Sequence, residues 1–270
     1  MSDSFGPDDA RRFIAVPGPD DDKYSRGVAG FVTGSARYPG AAVLGVEAAL
    51  HTGVGMVRYL GAGRPTRLVL QRRPEAVTAA GRVQAWVLGS GQDPADLDDA
   101  TLDLLDRALR QDVPVVIDSG ALGRVRDAAG PVVLTPHAGE LASLLGVDRS
   151  DVLDDLAGSA ERAAADLGAT VLLKGHLTHV ATPDGLKYRV TAPTTWLSTA
   201  GSGDALAGIL GALVATHHAQ IQDDPGLLAE LAATAAVLHG LAGERASNGG
   251  PFTVLGLCGQ IPAVIAALID

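Results

Sequence analysis

In Ser198-Thr-Ala-Gly-Ser-Gly-Asp-Ala-Leu-Ala-Gly208, a carboxylate stands at the junction of a glycine turn and a strongly apolar helix. Gly201 and Gly203 let the backbone turn sharply and approach a ligand closely. The amides of Gly201, Ser202 and Gly203, which open the following helix, then favour an anion such as phosphate. Asp204 would be repelled by that anion, so its chemical role would be to take a proton from a hydroxyl poised to attack phosphorus. Aspartate is also a favoured capping residue, and the motif alone leaves cap and base equally open.

Other chemistry-bearing residues occupy matching places, just past short apolar runs. Gly34-Ser-Ala-Arg-Tyr-Pro-Gly-Ala-Ala42 is a glycine loop able to wrap a flat ring or a phosphate, and Gly89-Ser-Gly91 leaves room for close backbone approach. Either is also an ordinary strand-to-helix turn. Asp118 follows Ile117, and Thr135-Pro-His-Ala-Gly-Glu140 follows Leu134. His137 either caps or packs, or presents an imidazole at a functional edge. Glu140 either suits the first turn of its helix electrostatically or orders magnesium-bound water near a phosphate. Lys174-Gly-His-Leu-Thr178 opens with a lysine that ends an apolar strand and needs an anion or solvent there. His51, His176, His179, His217, His218 and His239 show no metal-ligand pattern.

These residues need a scaffold, and the pattern predicts one. Short β-branched runs at 28–33, 67–70, 85–88, 113–118, 132–135, 170–174, 178–181 and 187–190 read as strands. Several lack alternation, as expected when helices cover both faces. Helices are expected over 40–51, 95–110, 139–145, 151–167, 204–217, 225–244 and 260–268. Their alternation implies an α/β three-layer sandwich with a largely parallel central sheet flanked by helices. Thr182-Pro-Asp-Gly185 breaks the pattern as the turn of a β-hairpin. Ligands gather at the carboxyl ends of strands in such sheets, where the residues above would collect. Residues 1–24 read as an irregular polar arm, and 1–270 as one domain.

The composition narrows the partners. Twenty-one Lys and Arg against 31 Asp and Glu give a net charge of −10, with no basic block, which argues against nucleic acid and anionic membrane. A single cysteine, Cys258, rules out an intrachain disulfide. The longest apolar runs, read at 205–215 and 261–269, are too short for a bilayer, and residues 1–10 lack the layout of a signal peptide. A cytoplasmic enzyme of small metabolites is the expectation.

Taken in order and spacing, the 34–42 loop, the 135–140 turn, the 174–178 segment and the 199–204 turn resemble the ADP-dependent NAD(P)H-hydrate dehydratases of the ribokinase-like superfamily. The resemblance spans roughly residues 23–268. It implies a ribokinase-like fold and dehydration of the S epimer of hydrated NADH or NADPH, with ADP or ATP as phosphoryl donor, Mg2+, and release of AMP and phosphate. It further implies that Ala41 or Ala42, Gly91, His137 and Asp204 line the hydrate. Lys174, Gly175, His176, Leu177 and Thr178, with Gly203, would hold the adenine nucleotide. Asp204 would be the catalytic base, with Glu140 and Asp118 as indirect supports of the metal. Members are commonly homo-oligomeric, so an oligomer is expected.

The chain departs from relatives in two places. The stretch before the first strand is too short for the epimerase domain that many bacterial relatives carry, so action on the S epimer alone is expected unless a separate epimerase cooperates. The segment Asp22-Lys-Tyr-Ser-Arg-Gly27 is looser than the Lys-Gly pattern of relatives, which leaves Lys23 and Arg26 without an assigned contact. The competing readings are a kinase of the same fold, of the hydroxyethylthiazole or pyridoxal type, and a non-catalytic nucleotide-binding regulator. The 38–42 loop and the Thr135-Pro-His137 turn separate the dehydratase from the kinase, and Asp204 with Lys174 separates it from the regulator. No Gly-x-Gly-x-x-Gly opens the first helix, which disfavours a Rossmann dehydrogenase.

Overall fold

The computed structural model describes residues 3–270. In chain order the elements are Asp3–Ser4 (β1), Pro7–Ala10 (α1), Val28–Val32 (β2), Pro39–Thr52 (α2), Met56–Tyr59 (β3), Gly63–Arg72 (α3), Ala85–Leu88 (β4) and Asp99–Leu109 (α4). Val115–Ile117 (β5), Val132–Leu134 (β6), Ala138–Leu145 (α5), Arg149–Asp154 (α6), Leu156–Leu167 (α7) and Thr170–Leu173 (β7) come next. Leu177–Ala181 (β8), Lys187–Thr191 (β9), Ser202–Thr216 (α8), His218–Asp223 (α9), Leu228–Ser247 (α10) and Val254–Ile269 (α11) complete the chain.

The strands form one nine-stranded sheet in the order β1-β9-β8-β7-β6-β5-β4-β2-β3. Only β8 runs against the others, through the expected hairpin with β9. Successive side chains of a strand feed opposite cores, since a strand repeats every two residues. Ala29 and Phe31 join the core under α2, α8, α10 and α11, whereas Val28 and Val32 join the core under α4, α5 and α7. Both faces are thus covered, as the unbroken apolar runs require, and the three layers are those expected.

Several segments differ from expectation. Residues 67–70 belong to helix α3, in which Pro65 and Val69, one turn apart, are the buried residues. A four-residue apolar run does not discriminate strand from helix. The missing strand is β3, an edge strand with Arg58 turned partly to solvent. The expected helix over 151–167 is two helices broken at Asp155, and α11 starts six residues ahead of 260. The N-terminal arm is also more ordered than its polarity suggests. Asp3 and Ser4 pair with Tyr188 and Arg189, Phe5 is buried against Tyr188 and Phe13, and residues 14–27 lack helix or strand. Burying one aromatic ring anchors the segment.

The layer above the site is held by close helix contact. A Cβ placed on Gly208 in α8 would lie 2.2 Å from the Gly45 carbonyl oxygen in α2, so the two helices touch through backbone there. Glu47, fully buried in α2, accepts from Arg72 at 2.8 Å and from Arg73, tying α3 to the same helix. Burial pushes its carboxyl upward, but the two guanidiniums outweigh that and hold its pKa below the usual range. The stretch Pro225–Ser247 is the one long and apolar enough to cross a membrane among the described residues, longer than the runs expected at 205–215 and 261–269, and 72% of its apolar window is buried within the fold. It packs as a core helix.

Gly208→Ala tests the backbone contact. Overpacking of this kind costs about 1–3 kcal/mol, which chemical denaturation will register as a lower midpoint with an unchanged slope. An unaltered midpoint would show that α2 and α8 have room to spare.

Candidate functional site

The carboxyl ends of β2, β4, β5, β6 and β7 lie along one edge of the sheet, and the loops leaving them are stitched together by backbone bonds. The Gly34 amide donates to the Ser90 carbonyl at 2.7 Å, joining the loops after β2 and β4. Chain progression reverses between these neighbours, as β2 leads outward to β3 and β4 leads toward β7. That reversal leaves a crevice. The Lys174 amide donates to the Pro136 carbonyl at 2.8 Å, and His137 and Lys174 form an isolated parallel bridge. The lysine is thereby fixed beside the 135–140 turn.

Helix α8 begins at Ser202, with Gly201 at the N-cap in the left-handed region, φ 91°. A side chain at that position would be strained, which accounts for glycine there. Asp204 is the third helical residue, and no side chain caps the helix by a hydrogen bond. The capping role left open by the sequence therefore does not belong to Asp204. His137 does cap: its Nδ1 accepts from the amides of Gly139 and Glu140 at 3.0 and 3.2 Å, and Glu140 Oε2 accepts from the His137 amide at 2.8 Å. This reciprocal box occupies one ring nitrogen, and the other, Nε2, lies 3.6 Å from Glu140 Oε1 on a mostly exposed ring.

Charge is concentrated behind these loops. Asp118 is 2% exposed and fully engaged: Lys174 Nζ donates to Oδ1 at 2.8 Å, Thr135 Oγ1 to the same oxygen and Ser90 Oγ to Oδ2, both at 2.9 Å. Glu140 Oε2 lies 3.8 Å from Lys174 Nζ. Burial disfavours the charged ammonium, but Asp118 and Glu140 raise its pKa above the ordinary lysine value. Asp204 is pushed the other way for an acid. Burial and then the Asp118 charge raise it, Lys174 offsets part of that, and its pKa reaches about 7.

Two cavities flank the first turn of α8. One, about 490 Å³, is walled by His137, Lys174, Gly175, His176, Thr178, Ser202 and Gly203, with apolar surface from Val190, Leu197 and Leu206. The other, about 800 Å³, is walled by Tyr38, Ala41, Gly91, Glu140, Gly201 and Asp204. Most of the candidate residues thus come together, with some redistribution. His137 faces the smaller cavity rather than standing with Ala41, Gly91 and Asp204, while Gly201 faces the larger. Ala42 is fully buried beneath the loop, and Leu177 starts β8 without reaching either wall. Lys23 and Arg26 line neither, and Arg26 donates to the Gly53 carbonyl instead.

Three contributors carry little signal in the sequence. Ser90 and Thr135 read as loop residues, yet both serve Asp118. His239 lies on the wall of the smaller cavity, in contact with Ser202. Its one signal is an imidazole inside an otherwise Ala- and Leu-rich stretch, a polar group that burial forces to find a partner.

Residues 29–255 match the family model described as NAD(P)H-hydrate dehydratase. The bifunctional NAD(P)H-hydrate repair enzyme Nnr of Mycobacterium tuberculosis is 47% identical over 213 residues, 74% of this chain and 43% of that protein. The chain therefore spans less than half the length of that relative. The ADP-dependent (S)-NAD(P)H-hydrate dehydratase of Xanthomonas campestris is 36% identical over 229 residues, 76% of this chain and 78% of that protein. A solved structure of the ADP/ATP-dependent NAD(P)H-hydrate dehydratase from Bacillus subtilis, co-crystallised with ATP and Mg2+, superposes with a TM-score of 0.87 at 25% identity, covering 99% of both chains. The four ordered motifs, the two cavities and these likenesses converge: the chain belongs to the NAD(P)H-hydrate dehydratase family, on a ribokinase-like fold.

Proposed function

We propose that this chain restores NADH or NADPH from the S epimer of the hydrated cofactor, with ADP or ATP as phosphoryl donor. The observation that carries the reading is Asp204, a carboxylate of pKa about 7 on the partition between two cavities, beside the opening amides of α8. The adenine nucleotide takes the smaller cavity, where Lys174, Ser202 and Gly203 meet its phosphates. The hydrate takes the larger, with its ring near Tyr38, Ala41 and Gly91.

Hydroxide is a poor leaving group, so the hydroxyl of the hydrated ring is first made into a better one. Its oxygen attacks the terminal phosphorus, the bond from that phosphorus to the remaining nucleotide breaks, and Asp204 takes the hydroxyl proton. Amides at Gly201, Ser202 and Gly203 stabilise the charge that develops on the phosphoryl oxygens. The ring nitrogen's lone pair then expels phosphate. Loss of a proton from the neighbouring carbon restores the double bond, and with ADP the second product is AMP.

Magnesium fits this site only as an ion carried by phosphates. Among the described residues no group of three His, Cys, Asp or Glu is placed to hold a metal. Both Asp118 oxygens are already engaged, which leaves Glu140 as an outer support through water. Bound so, the ion would neutralise phosphate charge. A homo-oligomer working in the cytoplasm alongside a separate epimerase belongs to the same proposal.

The direct test gives purified protein hydrated NADH or NADPH, Mg2+ and either ADP or ATP, and follows absorbance of the restored dihydronicotinamide. Recovery with release of AMP or ADP and phosphate is expected, whereas a stable phosphorylated product would mark a kinase instead. Asp204→Asn is expected to keep nucleotide binding and lose about 10²–10⁴ in kcat, the span of general-base removal; near-normal turnover would remove Asp204 from the mechanism. In the wild type, kcat/KM should fall as pH drops through about 7, because the protonated carboxyl no longer accepts a proton. A profile flat through that window contradicts the assignment.

A further inference from the structure

His239 occupies a stretch of α10 that has no packing need for an imidazole. Leu238 and Ala242 around it are fully buried, and the ring itself is 8% exposed on the wall of the smaller cavity. Its Nε2 lies 3.0 Å from Ser202 Oγ. Ser202 is the first residue of α8, is 5% exposed and lines the same cavity. Burial, with a smaller contribution from the Lys174 charge, lowers the imidazole pKa to about 4 despite an opposing interaction with the Ser202 backbone. The ring is therefore neutral at ordinary pH and carries one proton.

Which nitrogen holds that proton decides what Ser202 can offer. With Nε2 bare, the ring takes the serine hydroxyl proton, and Oγ turns only lone pairs toward the cavity. With Nε2 protonated, the ring donates to Oγ and the hydroxyl hydrogen is free to point at a ligand. An anion is repelled by the first arrangement and hydrogen-bonded by the second. Lys174 Nζ stands 3.4 Å from where a Cβ on Gly203 would be, so the cavity's cation is one residue away from the hydroxyl's own position in the chain.

We infer that His239 is a positioning residue for the nucleotide: its Nε2–H holds Ser202 Oγ so that the hydroxyl donates to a phosphate oxygen. This rests on the reading that the smaller cavity takes the adenine nucleotide. The hydroxyl adds a side-chain donor to the backbone amides of the same turn. The histidine reaches the ligand only through the serine.

The test measures calorimetric affinity of the full chain for ADP and for adenosine, without hydrate, in Ser202→Ala, His239→Leu, the double variant and His239→Gln. Each of the first two is expected to weaken ADP by about tenfold to a hundredfold, the range for a hydrogen bond to a charged group. The double variant should be no weaker than either single one, since both remove the same bond. His239→Gln, which retains an amide donor, should recover most of the loss, and adenosine should bind all four alike. Additive losses, or equal weakening of ADP and adenosine, would overturn the inference. Nitrogen NMR of the wild type with ADP decides the point without requiring any variant to fold: a protonated Nε2 supports the assignment and a bare one defeats it. Failure of the wild type to bind either ADP or ATP defeats both this inference and the proposed function. ADP binding with the expected pattern, but without repair of the hydrate, supports the inference and refutes the proposed reaction.

Discussion

Three carboxylates crowd one ammonium at the carboxyl edge of this sheet, and the rest of the site depends on how that imbalance is shared. Lys174 bonds directly to Asp118 and stands near Glu140, while Asp204 feels both its attraction and the repulsion of Asp118. A buried charge without a partner costs several kcal/mol. Asp118 is therefore satisfied from three sides, by Lys174, Thr135 and Ser90, and is held in place through both oxygens. Burial first and the Asp118 charge second raise the pKa of the neighbouring Asp204 to about 7, where a carboxyl group readily exchanges protons at ordinary pH.

The scaffold serves this balance by limiting motion. Backbone contact between Gly208 and Gly45 leaves little room for α8 to slide over α2, and Glu47 ties α2 to α3 through two arginines. The first turn of α8 is thus located from behind by packing, and the loops after β4, β6 and β7 line the cavities in front of it. Rigid support of this kind suits catalysis that works by orientation and electrostatics rather than by a large rearrangement.

Much of this could be read from residue order because strand-end chemistry is local. The glycine turn ahead of Asp204, the Thr135-Pro-His137 turn and the lysine closing β7 each sit within a few residues of a strand, so their edge follows from the alternation alone. The rest depends on contacts between distant segments. Whether Asp204 capped its helix hinged on a start at Ser202 rather than three residues later, a difference within the uncertainty of a helix boundary read from sequence. The Ser90–Asp118 and Ser202–His239 pairs join residues 28 and 37 positions apart, and nothing near either serine in sequence announces its partner. Residues 67–70 mislead for a related reason, since four apolar residues fit either a strand or one face of a helix until the neighbouring layers are known. Phe5, in turn, converts a polar arm into an added edge strand through a single buried ring.

The partition between the cavities is a single helical turn in which Gly201 and Asp204 face one side while Ser202 and Gly203 face the other. Helical pitch alone therefore sets the distance and angle between the Asp204 carboxyl and the amides that open the helix. Each added residue would rotate the remainder of the helix by about 100°, carrying the carboxylate off its wall while leaving every side chain type in place. Insertion and deletion in this turn should thus be far less tolerated than substitution, and its length is as much a part of the proposed chemistry as its residues.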